Sequence, residues 1–423
     1  MTAEIPGGEL DCCSGSGTSR RRFLAGMAAL AGAGLLDVGG AQYAFAAGPR
    51  TRGDLLVVVS LRGGADGLSL VPPLADPGYL AARPSIGIPA RTALPLDRSF
   101  GLHPRMAPLM PFWHQGQLAF VQAVGDADGS RSHFEATDNM ERGTDADLQL
   151  GTGWLDRHLD SRGVRGTDFP ALAIGGTTPV SLRGPAPALS LWSVADARVH
   201  CPPALAVGVE RALNGMYDGV AGPVGEAGRV TLDALRRLAP FRDHAYVPRS
   251  GTTYPSNGLG YELSQVAQVA KAGVGLEVAC VEYGGWDTHT AMGVPTSGAM
   301  ADLVGGFASA LAAFATDLGP LLRTTTIVTL TEFGRRVAEN ASNGVDHGHG
   351  GVMLALGGGI RGGRVYGRWP GLAPKDLEQG DLQATTDYRD VLAEVVRRRL
   401  GNARVDQVFP GHRARELGLT VGR

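Results

Sequence analysis

Short apolar runs punctuate the chain: "DLLVVVSL" (54–61), "QLAFVQAVG" (117–125), "FPALAIGG" (169–176), "GLEVACVEYGG" (275–285), "TTTIVTLTEFG" (324–334) and "GVMLALGGG" (351–359). They are short, mostly β-branched or aliphatic, and bounded by glycine or polar turn residues, the pattern of strands buried on both faces. Other segments place apolar residues at i, i+3 and i+4, on one face of a helix. These are residues 104–115, 257–273, 298–319 and 385–401; the last opens on Thr386 and Asp387 as caps and closes at Gly401. Buried strands alternating with amphipathic helices predict an α/β fold: a mostly parallel sheet covered by helices on both faces. Residues 76–105 and 176–257, rich in Pro, Gly and Ala, read as long loops and helices packed on that sheet.

In such sheets ligands bind beyond the carboxyl ends of the strands. Asp66 follows the first run. Ser130, Ser132 and His133 follow the second, Asp287 and His289 the fourth. Glu332 ends the fifth, and Asp346, His347 and His349 lie between the fifth and the sixth. Residues capable of chemistry therefore gather at one expected edge.

Each group has two readings. In "GGWDTHTAM", Asp287 and His289 at i, i+2 point the same way on extended backbone and can meet one cation, or Asp287 caps a helix and His289 faces solvent. In "DHGHG", the glycines permit a tight turn, and the histidines serve as metal ligands, as donors to an oxyanion, or as part of an exposed loop. Glu332 sits where a strand-end carboxylate would bind metal. Arg335 and Arg336 either grip phosphate or sulfate or pair with Glu339 on a solvated face. Ser132 opens a helix, where free amides suit an anion, so it is a nucleophile candidate activated by metal or by His133; with Glu135 three residues on, it is equally a capping box. "LRGGADGLS" lacks a Walker lysine and the dinucleotide spacing, which leaves Asp66 as a candidate ligand and no nucleotide cofactor.

The first residues stand apart. "SRRRFL" followed by "AGMAALAGAGLL" has the pattern of a twin-arginine export signal, with Ala44-Phe45-Ala46 as a small-x-small cleavage site. The expected division is a signal peptide over 1–46 and one α/β domain over 47–423. No run of 18 uninterrupted apolar residues follows, so no stable membrane span is expected. With a formal net charge of −2, the chain has no electrostatic reason to bind nucleic acid. Cys201 and Cys280 remain beyond the leader and could pair, although Cys280, in an apolar run, reads as a buried thiol.

"VVSLRGGADGLSLVPP", "SRSHFEATDNMERG", "GGWDTH", "EFGRRVAENASNGVDHGHGGVMLALGGGIRGGRVYG" and "TTDYRDVLAEVV" together resemble the exported bacterial proteins labelled domain of unknown function 1501. That family is similar to a distant branch of the alkaline phosphatase and sulfatase superfamily. The resemblance implies an alkaline phosphatase-like α/β domain, a nucleophile at Ser132, and one or two divalent ions, zinc first among them. The ions would be held from Asp66, Asp287, His289, Glu332, Asp346, His347 and His349. Three departures stand out: "LRGGA" precedes Asp66, Phe333 follows Glu332 where a histidine is expected, and no C-x-P-S-R sulfatase signature is present. The implied function is an exported metal-dependent hydrolase of phosphate or sulfate esters, small or polymeric, that meets the twin-arginine translocase during export. The rival expectation is a non-catalytic protein using the same cleft to bind a glycan, a cell-wall polymer or a protein.

Overall fold

The structure, a computed structural model, describes residues 42–44 and 54–422 except 128, 149, 164–169 and 250. The arginine motif and its apolar run lie outside the described residues. All six apolar runs form strands, and four further strands join them. In chain order they are β1 (Gln42–Ala44), β2 (Leu55–Leu61), β3 (Leu118–Gly125), β4 (Ala171–Ile174), β5 (Ala188–Leu191), β6 (Val278–Tyr283), β7 (Thr325–Leu330), β8 (Gly351–Gly357), β9 (Arg364–Tyr366) and β10 (Thr386–Asp387). They make one ten-stranded sheet in the order β1-β5-β4-β6-β2-β7-β8-β3-β9, with β10 also paired to β3.

Pairing is parallel from β5 through β4, β6 and β2 to β7. It is parallel again between β3 and both β9 and β10. β8 runs antiparallel to its neighbours β7 and β3, and β1 is antiparallel to β5. The direction of β8 decides where the site lies. Because β8 is reversed, the 331–350 connection leaves the carboxyl end of β7 and re-enters the sheet at the same edge. The histidines of that connection therefore stay level with the loops after β2, β3 and β6.

Alternate residues of β2 feed opposite cores, as period-two geometry requires. Leu55, Val57, Val59 and Leu61 pack on one face with residues of helices α6 (Gly258–Ala272) and α7 (Ala299–Leu318). Leu56 and Val58 pack on the other with α2 (His133–Arg142), α3 (Trp154–Ser161) and α8 (Tyr388–Arg398). A one-turn α1 (Gly67–Leu70) follows β2, and α4 (Ala206–Tyr217) and α5 (Pro223–Arg242) fill the irregular middle region. The result is a mixed, mostly parallel sheet flanked by helices.

Two helix expectations need correction. Residues 104–115 form a 3₁₀ segment, Pro104–Leu109, and then a short α-helix, Met110–His114. Pro108 and Pro111 withhold the amide hydrogens that a continuous helix needs. The C-terminal helix starts at Tyr388, with Asp387 accepting from the Arg389 amide, and stops at Arg398, short of Gly401. Thr386 belongs to β10. Among the described residues, Ala299–Thr324 is long and apolar enough to cross a bilayer, yet more than half of it is buried inside the protein. Cys201 and Cys280 are free thiols; Cys280 is buried, and burial pushes its pKa up.

Candidate metal centre

Four side chains from three loops meet at the sheet edge. His133 is the first residue of α2. Asp287 and His289 follow β6, and His347 lies between β7 and β8. The His289 and His347 Nε2 atoms stand 3.0 and 3.1 Å from Asp287 Oδ1, and His133 Nε2 stands 3.5 Å from it. His289 Nε2 and His347 Nε2 are 3.0 Å apart. Ligand bonds of about 2.0–2.1 Å in tetrahedral geometry separate donor atoms by about 3.3 Å. Three of these donors, from His133, Asp287 and His347, are close enough to share one ion, and His289 adjoins two of them. His133, Asp287 and His347 each offer an atom within 4.8 Å of the other two.

The opposite nitrogen of each ring faces an acceptor. His133 Nδ1 meets Glu332 Oε1 at 2.8 Å, His289 Nδ1 meets Asp346 Oδ1 at 2.9 Å, and His347 Nδ1 meets the Arg131 carbonyl at 2.9 Å. A carboxylate or carbonyl only accepts, so each Nδ1 has an acceptor for a hydrogen; His347 Nε2 also faces an acceptor, Asp287 Oδ1 at 3.1 Å. The Nε2 atoms of the three rings gather around Asp287 Oδ1. His133 Nε2 is buried without a hydrogen-bond partner among the described residues. An acceptor or carbonyl behind each imidazole is the arrangement that orients histidine ligands around a metal.

Arg335 ties the loops together. Its guanidinium is buried and donates to the carbonyls of Gly63, Gly64, Trp286 and Val345, and to Asp287 Oδ1 at 2.6 Å. Burial pulls the Asp287 carboxyl up, but hydrogen bonds from Arg335 and His347 outweigh it and leave the pKa lowered to about 2. Phe333 is buried, with its ring centroid 4.9 Å from that of His133 and 4.7 Å from that of His347. It is a wall that holds two imidazoles. Gly64 lets that wall approach: its φ is +68°, and a Cβ there would lie 2.5 Å from the Phe333 ring.

The structure sorts the residues expected from sequence. Asp287, His289 and His347 converge, joined by His133. Glu332 and Asp346 stand behind imidazoles; Glu332 also accepts from the Gly63 amide at 2.8 Å, and Asp346 from Asn340 at 3.1 Å. Asp66 lies elsewhere, buried against Arg83, with Nη2 2.9 Å from Oδ1 and the Ser69 hydroxyl on Oδ2. His349 turns both ring nitrogens to acceptors, Glu378 Oε2 at 3.0 Å and the Asp126 carbonyl at 2.9 Å, and offers no lone pair to the cluster. Ser132 caps α2 through a long 3.5 Å contact with the Glu135 amide, and the Ser130 hydroxyl donates to Glu135 at 3.1 Å. Arg336 pairs with Asp381 instead of Glu339, whose carboxylate takes the amides of Ser85 and Ile86. Sequence reasoning missed the Arg131 carbonyl and Asp381. A backbone carbonyl has no sequence signal, and "EQGDLQ" carries no motif.

Residues 54–420 match the family described as "Protein of unknown function (DUF1501)". The chain belongs to this family. No curated protein matches the sequence. Among solved structures it is similar to the C-terminal periplasmic domain of EcEptC from Escherichia coli in complex with Zn, at 9% identity and a TM-score of 0.34, covering 74% of this chain and 76% of that one. It is similar to the PsFucS1 sulfatase from Pseudoalteromonas sp., at 12% identity and a TM-score of 0.28, covering 74% of this chain and 64% of that one. It is also similar to alkaline phosphatase from the Antarctic bacterium TAB5, at 9% identity and a TM-score of 0.27, covering 75% and 95%. Superpositions this loose transfer no residue roles, so the chemistry is derived from this chain's own side chains.

Proposed function

We propose that the protein is an exported, metal-dependent hydrolase of phosphate or sulfate esters. The supporting observation is the inward convergence of the His133, His289 and His347 Nε2 atoms on Asp287 Oδ1, each ring fixed from behind by an acceptor. Nitrogen-rich donors suit zinc; calcium and magnesium prefer all-oxygen sites. Charge points to a single ion. Asp287, Glu332 and Asp346 are acidic and Arg335 is basic, so one divalent cation brings the cluster to neutrality when the imidazoles are neutral.

His133, His289, His347 and Asp287 would hold the ion. When bound, it supplies Lewis acidity toward the ester oxygen and toward an attacking hydroxyl or water. Glu332, Asp346 and the Arg131 carbonyl keep the three rings in register. Arg335 keeps Asp287 ionised. Ser132 stands beside His133 at the start of α2 and is the candidate nucleophile, once its weak cap to Glu135 is released. Residues 1–46 would direct the folded chain through the twin-arginine translocase and be removed, leaving 47–423 as the exported domain.

A second reading has its own support. With His289 joining His133, Asp287 and His347, four protein donors would complete a tetrahedral shell, whereas catalytic zinc keeps a position open. A closed centre would serve a protein that binds a glycan, a cell-wall polymer or a partner without turnover.

The experiment is metal analysis of protein purified after export, with hydrolysis assays on an aryl phosphate and an aryl sulfate. The expected result is about one zinc per chain and turnover that His347→Ala abolishes. Absence of stoichiometric divalent metal sinks the proposal. Stoichiometric zinc without turnover, combined with thermal stabilisation by an added polymer, establishes the binding reading.

A further inference from the structure

We infer that Asp381 is a positioning residue for the metal centre: through Arg131 it fixes the tautomer of His347. The inference rests on the metal-centre reading above and adds a residue outside the converging set.

Asp381 lies on a small hairpin in which Leu377–Glu378 pairs with Asp381–Leu382. The turn is tight, with Gln379 at φ +53° and Gly380 at φ +89°. Asp381 is fully buried. Burial pushes its carboxyl pKa up, against the opposing pull of Arg131 and Arg336. A buried carboxylate is costly unless its partners hold it ionised, and breaking such a set leaves an uncompensated charge. Here the partners come from two site loops. The Arg131 guanidinium bonds to Asp381 Oδ2, and Arg336 Nε lies 3.6 Å from Oδ1.

Those arginines flank the metal centre through their backbones. The Arg131 carbonyl accepts the His347 Nδ1 hydrogen at 2.9 Å, and His133 lies two residues further along the same loop. The Arg336 amide donates to the Asp346 carbonyl at 2.9 Å, and Asp346 backs His289. The hairpin is stitched to the same connection twice more, by the Gly350 amide to the Leu382 carbonyl at 2.8 Å and by His349 to Glu378. Asp381 thus clamps the 126–132 loop against the 331–350 connection. If the Arg131 anchor is released, its carbonyl is free to turn away. The His347 hydrogen then has no acceptor at Nδ1, and the ring carries it at Nε2, toward Asp287 Oδ1 3.1 Å away, where it blocks the inward lone pair.

The test combines two variants and two readouts. Asp381→Asn removes the clamp. Arg131→Met removes the same link from a side chain that is over a third exposed and leaves Arg336 facing Asp381. Zinc affinity is measured by competition with a chromogenic chelator. The tautomer of His347 is read in metal-free protein from the ¹⁵N shifts of its ring nitrogens. The expected result is a ten- to hundredfold loss of zinc affinity in both variants, the usual effect of losing a group that orients a metal ligand. The wild-type ring should show hydrogen at Nδ1, and both variants should show it redistributed to Nε2. Asp381→Glu should recover part of both. The inference is overturned if Arg131→Met leaves the His347 shifts unchanged, or if Asp381→Asn lowers thermal stability while zinc affinity holds. Wild-type protein that binds no zinc overturns the metal-centre reading instead, and the tautomer readout still decides the role of Asp381.

Discussion

Asp287 is the residue at which the electrostatics of the site meet: one oxygen faces three imidazoles and a buried guanidinium. Its pKa is lowered from 3.8 to about 2 in the folded chain. A depressed carboxyl pKa stabilises the fold above its unfolded value, and that contribution is lost as pH falls through the folded value. The window therefore lies between about pH 4 and pH 2, and half-exposure of the side chain keeps the effect small. Denaturation midpoints of metal-free wild type and Asp287→Asn should converge as pH is lowered across that window. A gap that stays constant from pH 5 to pH 2 would show that Arg335 does not hold Asp287 ionised. The residue scale is also where the sequence was most informative. That Asp287, His289 and His347 come together was legible from their shared place at one sheet edge, although spacing alone left each pair with two readings and His349, at i+2 from His347, turns away. His133 was legible as chemistry but read as a base for Ser132, because ring orientation is set by Glu332, a partner almost 200 positions away. Asp66 shares the place of the clustered residues in the strand order, yet Arg83 takes it up, an ion pair that no local spacing reveals.

At the scale of elements, glycine at the end of β2 governs how closely the β7–β8 connection can approach. Ala at position 64 would place its Cβ 2.5 Å from Phe333 at a φ of +68°. Gly64→Ala should cost about 1–3 kcal/mol of stability. If the metal-centre proposal holds, it should also weaken zinc binding, because Phe333 packs on the His133 and His347 rings. Gly116→Ala is the control: the same φ of +68°, with the nearest atom 4.0 Å away, should cost about 1 kcal/mol and leave zinc binding alone. Equal zinc affinity in both variants would remove Phe333 from any role in ring placement. Strand existence was legible in the six apolar runs, because complete burial demands unbroken apolar sequence. Strand direction was not. Periodicity is blind to polarity, so nothing in "GVMLALGGG" marks β8 as reversed, although that reversal keeps the histidine loop at the same edge as Asp287 and His133. β5 was overlooked because "ALSL" is four residues inside a proline-rich stretch, too short to register as a period.

For the whole molecule, among the described residues, the two large cores on either face of the sheet begin at Leu55. β1 sits at the outer edge, joined to β5 by three paired positions from Gln42↔Ser190 to Ala44↔Ala188. Cleavage after Ala46 would remove that strand and leave β5 as the sheet's edge. A pairing this short contributes a few backbone hydrogen bonds at about 1 kcal/mol each. The layers that position His133, Asp287, His289 and His347 do not include it. A chain beginning at residue 47 should therefore fold cooperatively, lose no more than about 2–3 kcal/mol, and bind zinc with the affinity of the longer chain. β5 is four residues long and is followed by Trp192, 57% exposed, so the newly opened edge is short but carries an aromatic side chain. Short edge strands resist pairing between molecules, and light scattering should show the shortened chain no larger than the full-length one. Failure to fold from residue 47 would place the domain boundary upstream of Ala46 and make β1 part of the working molecule. Concentration-dependent association would instead show that β1 serves to cover the sheet until the leader is removed.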